Sequence, residues 1–340
     1  MDTGVSTDTI RLPGQQMETE FYRILVKRKF PSAKAKACAE LFTSNALDGV
    51  YSHSVNRFAK FIQYVDDGYV NPDVEAICRS ASGAVEQWDG QAGIGVLNAL
   101  ACTQRAMELA SQSGIGCVAL RNTNHWMRAG AYGRKAAAAG FAFIGWTNTN
   151  SNTPAWGATD ARLGNNPLVI AVPYQNEPIV LDMAMSQFSY GAMEQHKLKG
   201  TRLPVHGGFD KDGNLTDDPE AILQSRRTLP VGYWKGAGLS LLLDILATVL
   251  SGGLSVSAIS KQPAETKVSQ VFIAINLSGL ASHNKIPELL QQIIDDYHQS
   301  IPDKSAKVRY PGERVAQIRA ENLSKGVPVL KKVWDEIQAL

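Results

Sequence analysis

The chain has 340 residues, 44% of them hydrophobic and 19% charged, and 34 Lys and Arg against 32 Asp and Glu leave a net charge of +2. This excludes a disordered chain, which needs low hydrophobicity and a large net charge. It also gives no field to draw in nucleic acid or an anionic membrane. At roughly 150 residues per domain, the length predicts about two domains with a sizeable core.

The polar start, up to Gln16 and carrying Asp2 and Asp8, lacks the basic end and apolar stretch of a secretion signal. A cytoplasmic protein is expected. Apolar spacing predicts helices over 17–28 (Phe21, Ile24, Leu25), 33–47 and 55–65 (Phe58, Phe61, Ile62). After a turn at 66–72 the texture changes. From about Gly83, strand-like runs at 118–120, 141–146, 168–172, 179–182 and 271–275 alternate with helical runs at 96–110, 236–250 and 287–297. Residues 174–177 read as a hairpin turn. Residues 314–340 return to helical spacing.

The apolar stretch 239–250, interrupted by Asp244, is expected to be too short and too charged to span a bilayer. Cys38, Cys78, Cys102 and Cys117 are scattered without a CxxC pair, which predicts reduced thiols rather than disulfides or zinc. Residues 200–234, polar and rich in Gly and Pro, are expected to form a functional loop.

Gly114-Ile115-Gly116-Cys117-Val118-Ala119 fits G-x-G-x-x-A but follows a helix and opens a strand, the reverse of a dinucleotide fingerprint. It reads as a helix C-cap. Asp210-Lys211-Asp212-Gly213 begins like a calcium loop, but Leu215 and Ala221 stand where Gly and Glu are required. The six histidines are not at metal-ligand spacings, and no metal is expected.

Four stretches carry chemistry, one of them Trp156-Gly157 followed by Gly164-Asn165-Asn166-Pro167, a tight loop before a strand. In Tyr51-Ser52-His53-Ser54-Val55-Asn56-Arg57-Phe58, Ser52 can cap a helix that places His53 and Arg57 on one face. That pair suits a carboxylate beside a carbonyl: Arg57 forks the carboxylate and His53 exchanges the proton. A capped helix with surface His and Arg is the competing reading. In residues 121–128, His125 lies where a strand meets a helix, either at a ligand or in a packed turn. At Asp182-Met183-Ala184-Met185-Ser186, free N–H groups and Ser186 could hold phosphate, or Asp182 could simply cap a helix.

Ser52-His53, Arg121-Asn122-x-Asn124-His125-Trp126, Trp156-Gly157, Gly164-Asn165-Asn166-Pro167, Asp182-Met183-Ala184 and Gly232-x-Trp234-Lys235-Gly236 occur in this order. The set resembles the malate/L-lactate dehydrogenase-type oxidoreductases that lack a Rossmann fold, from about Phe21 to the C-terminus. The resemblance implies an α+β (mixed α/β) fold in a homodimer. A non-Rossmann NAD(P)-binding mixed-sheet domain would cover 83–299, and an α-helical domain formed by both chain ends would cover 1–82 with 300–340. The alternation alone would give a doubly wound parallel sheet. His53 matches the proton donor of the family's Ser-His-Gly motif, with Ser54 replacing Gly. Asn165 replaces the Thr of Gly-Thr-Asn-Pro.

The resemblance places cofactor contacts on Pro178, Ile179, Val180, Leu181, Asp182, Met183 and Ala184, on Trp234 and Lys235, and on Gly312, Glu313 and Arg314. Lys235 would meet phosphate or ribose, and Asp182 would serve the cofactor or tune His53. The implied reaction is NADH-dependent reduction of the C2 carbonyl of a small 2-oxo sugar acid, with NADPH left open. A protonated His53 supplies the proton, Arg57 holds the carboxylate and His125 orients the substrate. Asn122, Asn124, Thr147, Asn148 and the segment 200–234 are candidates for the hydroxylated tail. No nucleic-acid or membrane partner is expected. Two alternatives stay open: a malate, lactate or cyclic imino acid enzyme of the same family, and a catalytically silent nucleotide- or carboxylate-binding protein.

Overall fold

The computed structural model describes residues 8–303 and 307–340. The first seven residues of the polar start therefore lie outside the described residues, as do residues 304–306 of the expected helical domain. Strand β1 (Thr9–Leu12) leads into helices α1 (Gly14–Lys27) and α2 (Ser32–Leu47), then a 3-10 turn at Tyr51–His53 and helix α3 (Val55–Asp66). Pro13 and Pro31 stand just before α1 and α2, where a fixed φ helps and no N–H is needed. The apolar faces read from the sequence meet here: Phe21 and Phe42 lie 4.2 and 5.1 Å from Phe58, and all three are buried. Each such pair adds about 0.5–1.5 kcal/mol beyond area burial.

The sheet begins at Ile77, ahead of the change in texture at residue 83. It is built from β2 (Ile77–Ser82), β3 (Val85–Asp89), α4 (Gly95–Ser113), β4 (Ile115–Thr123), α5 (Gly130–Ala138) and β5 (Phe141–Thr147). Short strands β6 (Thr153–Pro154) and β7 (Ala161–Leu163) precede the hairpin of β8 (Leu168–Val172) and β9 (Ile179–Met183), which turns at 174–177 as its sequence predicts. Gly114 ends α4 in the left-handed region at φ 81. A Cβ on Gly116 would come 2.2 Å from the Ala106 carbonyl oxygen. The glycine pair thus lets β4 pack closely under α4, which is why it resembled a phosphate loop without being one.

The chain continues through α6 (Tyr190–Leu198), β10 (Gly208–Phe209), β11 (Leu215–Thr216), α7 (Pro219–Ser225), α8 (Trp234–Ser251), α9 (Val256–Ile259), β12 (Val268–Asn276) and α10 (Ile286–His298). It ends with α11 (Val315–Lys325), β13 (Val327–Leu330) and α12 (Lys331–Gln338). The seven-stranded sheet has the order β2-β3-β4-β12-β5-β8-β9, and its one parallel pair is β3 with β4. This corrects the doubly wound parallel reading. Alternation of strands and helices fixes their order but not strand direction, and β12 inserts antiparallel between β4 and β5. The mixed α+β fold implied by the resemblance is the one observed.

Three other expectations need correction. The tail is not helical throughout: α11 stops at Gly326, φ 82, and β13 pairs with β1, joining the two chain ends. Residues 200–234, expected to form a loop, contain β10, β11 and α7, and their Leu203 and Ile222 pack with Met193 of α6 in a small core. Helix α8 is longer than the apolar stretch read from sequence; by length and composition it is apolar enough to cross a membrane. It instead lies on the sheet, with Leu243 and Ala247 buried beside Trp146 and Val271, while Leu241, Leu242, Ile245, Leu246 and Val249 face outward. The four cysteines are free.

Candidate active site

Two clefts meet between the helical layer and the sheet. The narrow one has a volume of about 340 Å³ and the wide one about 1050 Å³. Ser52, His53, His125, Asn165, Pro167 and Ser189 line both. The two imidazoles therefore face groups bound in either cleft.

His53 ends the 3-10 turn rather than opening a helix. Ser52 is not a cap; its hydroxyl lies 3.0 Å from His53 Nδ1. Ser54 takes the cap position at φ −137, and its hydroxyl donates to the Phe42 carbonyl at 2.5 Å. That bond ties the turn to α2 where the family motif has Gly. Arg57 follows in the first turn of α3 and lines the wide cleft, as does His53. Among the described residues its guanidinium has no hydrogen bond or ion pair.

The rings of His53 and His125 stack at 5.7 Å between centroids. The Met127 N–H donates to His125 Nδ1 at 2.9 Å, so a neutral His125 carries its hydrogen on Nε2. Burial, then Arg57 and Arg128, pull the His53 pKa down to about 4. Burial, Arg57 and His53 hold His125 well below the usual imidazole value. In the ligand-free site, burial and the two guanidinium groups therefore disfavour the imidazolium that the expected proton donor requires.

Strand β9 forms one wall of the narrow cleft. Its pleat turns Pro178, Val180, Asp182 and Ala184 into the cleft, whereas Ile179, Leu181 and Met183 do not line it. Of the run expected to contact the cofactor, alternate residues thus line this cleft. Asp182 Oδ2 accepts the Gly130 N–H at 2.7 Å, at the start of α5. A Cβ on Gly130 would lie 2.9 Å from that oxygen, so glycine permits the approach. Asp182 opens onto the cleft but is ringed by protein. That dehydration raises its carboxyl above the usual range, while the Gly130 N–H and Arg128 act the other way. The hydrogen-bonded partner of Asp182 is a helix start, not His53.

Gly312 closes the wall, with its Cβ position 3.3 Å from the backbone N and O of Val180. Glu313 turns away to pair with His298 at 3.1 Å. Arg314 stands at the N-cap of α11 and lines neither cleft. Trp234 and Lys235 also line neither cleft; they open α8 at the surface, with Trp234 65% exposed. Arg128 and Arg134 bring positive charge to the narrow cleft. Two guanidinium groups, an apolar strand face and a carboxylate fit a dinucleotide's phosphates, ring and ribose hydroxyls.

The polar residues expected to meet the substrate tail are used elsewhere. Asn122 donates to Asp89 at 3.0 Å, and Asn124 donates to the Tyr69, Ala92 and Gly93 carbonyls. Thr147 donates to the Ser269 carbonyl, and Asn148 to Asp244 and the Leu254 carbonyl. The wide cleft is lined instead by Gln63, Tyr64, Thr149, Asn150, Asn152 and Glu265, and from the segment 200–234 by Arg226. The polar run 147–152 was visible in the sequence, but which of its members face the cleft depends on where β5 ends. Ser186 donates to the Phe188 carbonyl, and Ser189 caps α6. Among the described residues, no three His, Cys, Asp or Glu side chains converge to hold a metal.

The sequence profile of the malate/L-lactate dehydrogenases matches residues 12–338. The 2,3-diketo-L-gulonate reductase of Escherichia coli O17:K52:H18 is 47% identical over 329 residues, covering 96% of this chain and 98% of its own. Among solved structures, a dehydrogenase from Sinorhizobium meliloti, 27% identical, superposes at a TM-score of 0.88 over 98% of each chain. Malate dehydrogenase from Entamoeba histolytica, 23% identical, shares the fold at a TM-score of 0.92 over 98% of this chain and 97% of its own. The chain is an oxidoreductase and belongs to the malate/L-lactate dehydrogenase family.

Proposed function

We propose that this enzyme reduces the C2 carbonyl of 2,3-diketo-L-gulonate to 3-keto-L-gulonate with NADH. The observation that carries the reading is the junction of the two clefts at His53, in a chain so similar over its whole length to a reductase of that name. The narrow cleft takes the cofactor, with Arg128 and Arg134 toward phosphate, Asp182 toward ribose hydroxyls, and Pro178, Val180 and Ala184 against the ring. When bound there, NADH supplies the hydride for C2. The wide cleft takes the sugar acid.

Arg57, free of protein partners among the described residues, forks the substrate carboxylate. That carboxylate offsets one of the cations that keep His53 neutral, so His53 takes up a proton as substrate binds and gives it to the C2 oxygen. His125, with its hydrogen on Nε2, donates to the neighbouring carbonyl oxygen and orients it. Thr149, Asn150, Asn152, Gln63 and Tyr64 offer hydrogen bonds to the hydroxylated tail.

The functional unit is a homodimer. The outward Leu241, Leu242, Ile245, Leu246 and Val249 of α8 support this, being a contiguous apolar face on a helix that otherwise packs on the sheet. A cofactor role for Trp234 and Lys235, at the start of that helix, then depends on a cleft wall that a second copy supplies.

The test is to incubate the enzyme with deuteride-labelled NADH and 2,3-diketo-L-gulonate. Loss of the NADH absorbance with deuterium at C2 of the product is expected. No turnover, or label at C3, would remove the reading.

A further inference from the structure

Arg128 of the narrow cleft belongs to a buried charge network whose other members, Asp48 and Arg319, the reduction as described does not use. Arg128, three residues past His125, has a side chain 7% exposed and donates through Nη1 to Asp48 Oδ2. Asp48, at the C-terminal end of α2, has a side chain 3% exposed, and its Oδ1 accepts from Arg319 Nη1 at 2.7 Å. Arg319 lies on α11, also donates to the Ser44 hydroxyl at 3.1 Å, and lines neither cleft. One buried carboxylate is thus shared between a cation inside the cleft and a cation outside it.

The groups around His53 come from every neighbouring element. Its own turn supplies the Ser52 hydroxyl, and α3 supplies Arg57. The loop before α5 supplies His125 and Arg128, α5 supplies Arg134, and β9 supplies Asp182. Lys60, Glu194, Arg226 and Glu265 line the wide cleft farther along. Arg57 is open to pairing with a substrate carboxylate, whereas Arg128 is already held by Asp48. Arg128 is therefore a fixed cation whose effect on its neighbours depends on how much of its charge Asp48 cancels.

We propose that Asp48, Arg128 and Arg319 form a positioning network in which Asp48 fixes the Arg128 guanidinium beside His53 and Asp182, and Arg319 sets how much of its charge reaches them. In this role helix α11 adjusts the readiness of His53 to take a proton through Arg319, which lines neither cleft. The kinetic consequence rests on the reading of His53 as proton donor; the electrostatic one does not.

The network makes a prediction with two signs. Arg128→Met removes a cation and favours protonated His53. Asp48→Asn leaves the Arg128 charge uncancelled and disfavours it. Arg319→Met leaves Asp48 undivided on Arg128 and favours protonation weakly, from outside both clefts.

The experiment titrates the histidine ring protons of the ligand-free full chain by NMR, with the His53 signal assigned by its absence from His53→Gln. In parallel, the pH profile of kcat/KM for reduction is measured. The His53 midpoint should rise by about half a unit or more in Arg128→Met, rise less in Arg319→Met and fall in Asp48→Asn. The alkaline limb of kcat/KM should move in the same directions. Removing a member of a buried ion pair is strongly destabilising, so if Asp48→Asn does not fold, Arg319→Met carries the test. Midpoints within about 0.2 units of the parent in folded variants would overturn the network, leaving it a structural clamp. Midpoints that move while the kinetic limb stays would keep the network and remove His53 as the proton donor.

Discussion

The two clefts that meet at His53 are built by different means. The narrow one is walled by a pleated strand, a helix start and the ion-paired guanidinium groups of Arg128 and Arg134, all fixed by secondary structure and ion pairing. The wide one is three times the volume and lined mostly by amides, hydroxyls and charges from loops and helix surfaces. A rigid, charged slot suits a ligand that never changes, and a roomy polar one suits the part of the substrate that distinguishes one family member from another. The imidazoles between them serve both.

The sharpest way to separate the clefts is His53→Gln. Gln keeps a hydrogen-bond donor but delivers no proton, so kcat should fall by about a hundred-fold or more while NADH affinity, measured by fluorescence titration, stays within about twofold. Arg57→Lys keeps the charge but loses the fork, and should raise KM for the sugar acid by about tenfold with NADH affinity unchanged. Equal loss in both ligands would show that the clefts are not independent there.

Asp182→Asn works from the other side. The amide oxygen can still accept the Gly130 N–H, but the charge is gone, and NADH binding should weaken by several-fold, about 1 kcal/mol, without a matching change in substrate KM. Lys235→Ala should have the smallest effect on NADH. Leu242→Glu at the centre of the outward face of α8 should shift the protein toward monomer in sedimentation equilibrium, and a lost Lys235 effect in that monomer would tie the two.

The junction also responds to pH. His53 titrates near 6.5 when unfolded and near 4 in the fold, so the unfolded chain binds more protons between those values. Its contribution to stability is complete above pH 6.5 and is lost as pH falls toward 4. His53→Gln should therefore lose less melting temperature than the parent over that interval, by about 2 °C or more in a scanning calorimeter.

The residues at the junction were legible in sequence because they lie in short contiguous motifs: the turn with His53, the turn with His125, and the strand end with Asp182. The helices were legible from their apolar faces, as Phe21 and Phe58 show. Strand direction was not, because β12 enters the sheet from far along the chain. Facing was not either: a pleat halves the run 178–184, and the end of β5 decides that Asn150 rather than Asn148 reaches the cleft. The Asp48–Arg128–Arg319 network joins residues 80 and 271 positions from Asp48, a separation at which no local pattern carries a signal.

The central claim is that the wide cleft reads the polar tail of a 2,3-diketo sugar acid while Arg57 and His53 read the 2-oxo acid common to simpler substrates. The direct measurement is kcat/KM for 2,3-diketo-L-gulonate, pyruvate and oxaloacetate at saturating NADH. A site that hydrogen-bonds hydroxyls rejects analogues lacking them by about 10⁴-fold, since its own polar groups are then left unpaired. The account predicts diketogulonate ahead of both by orders of magnitude. Oxaloacetate or pyruvate as the best substrate would contradict it.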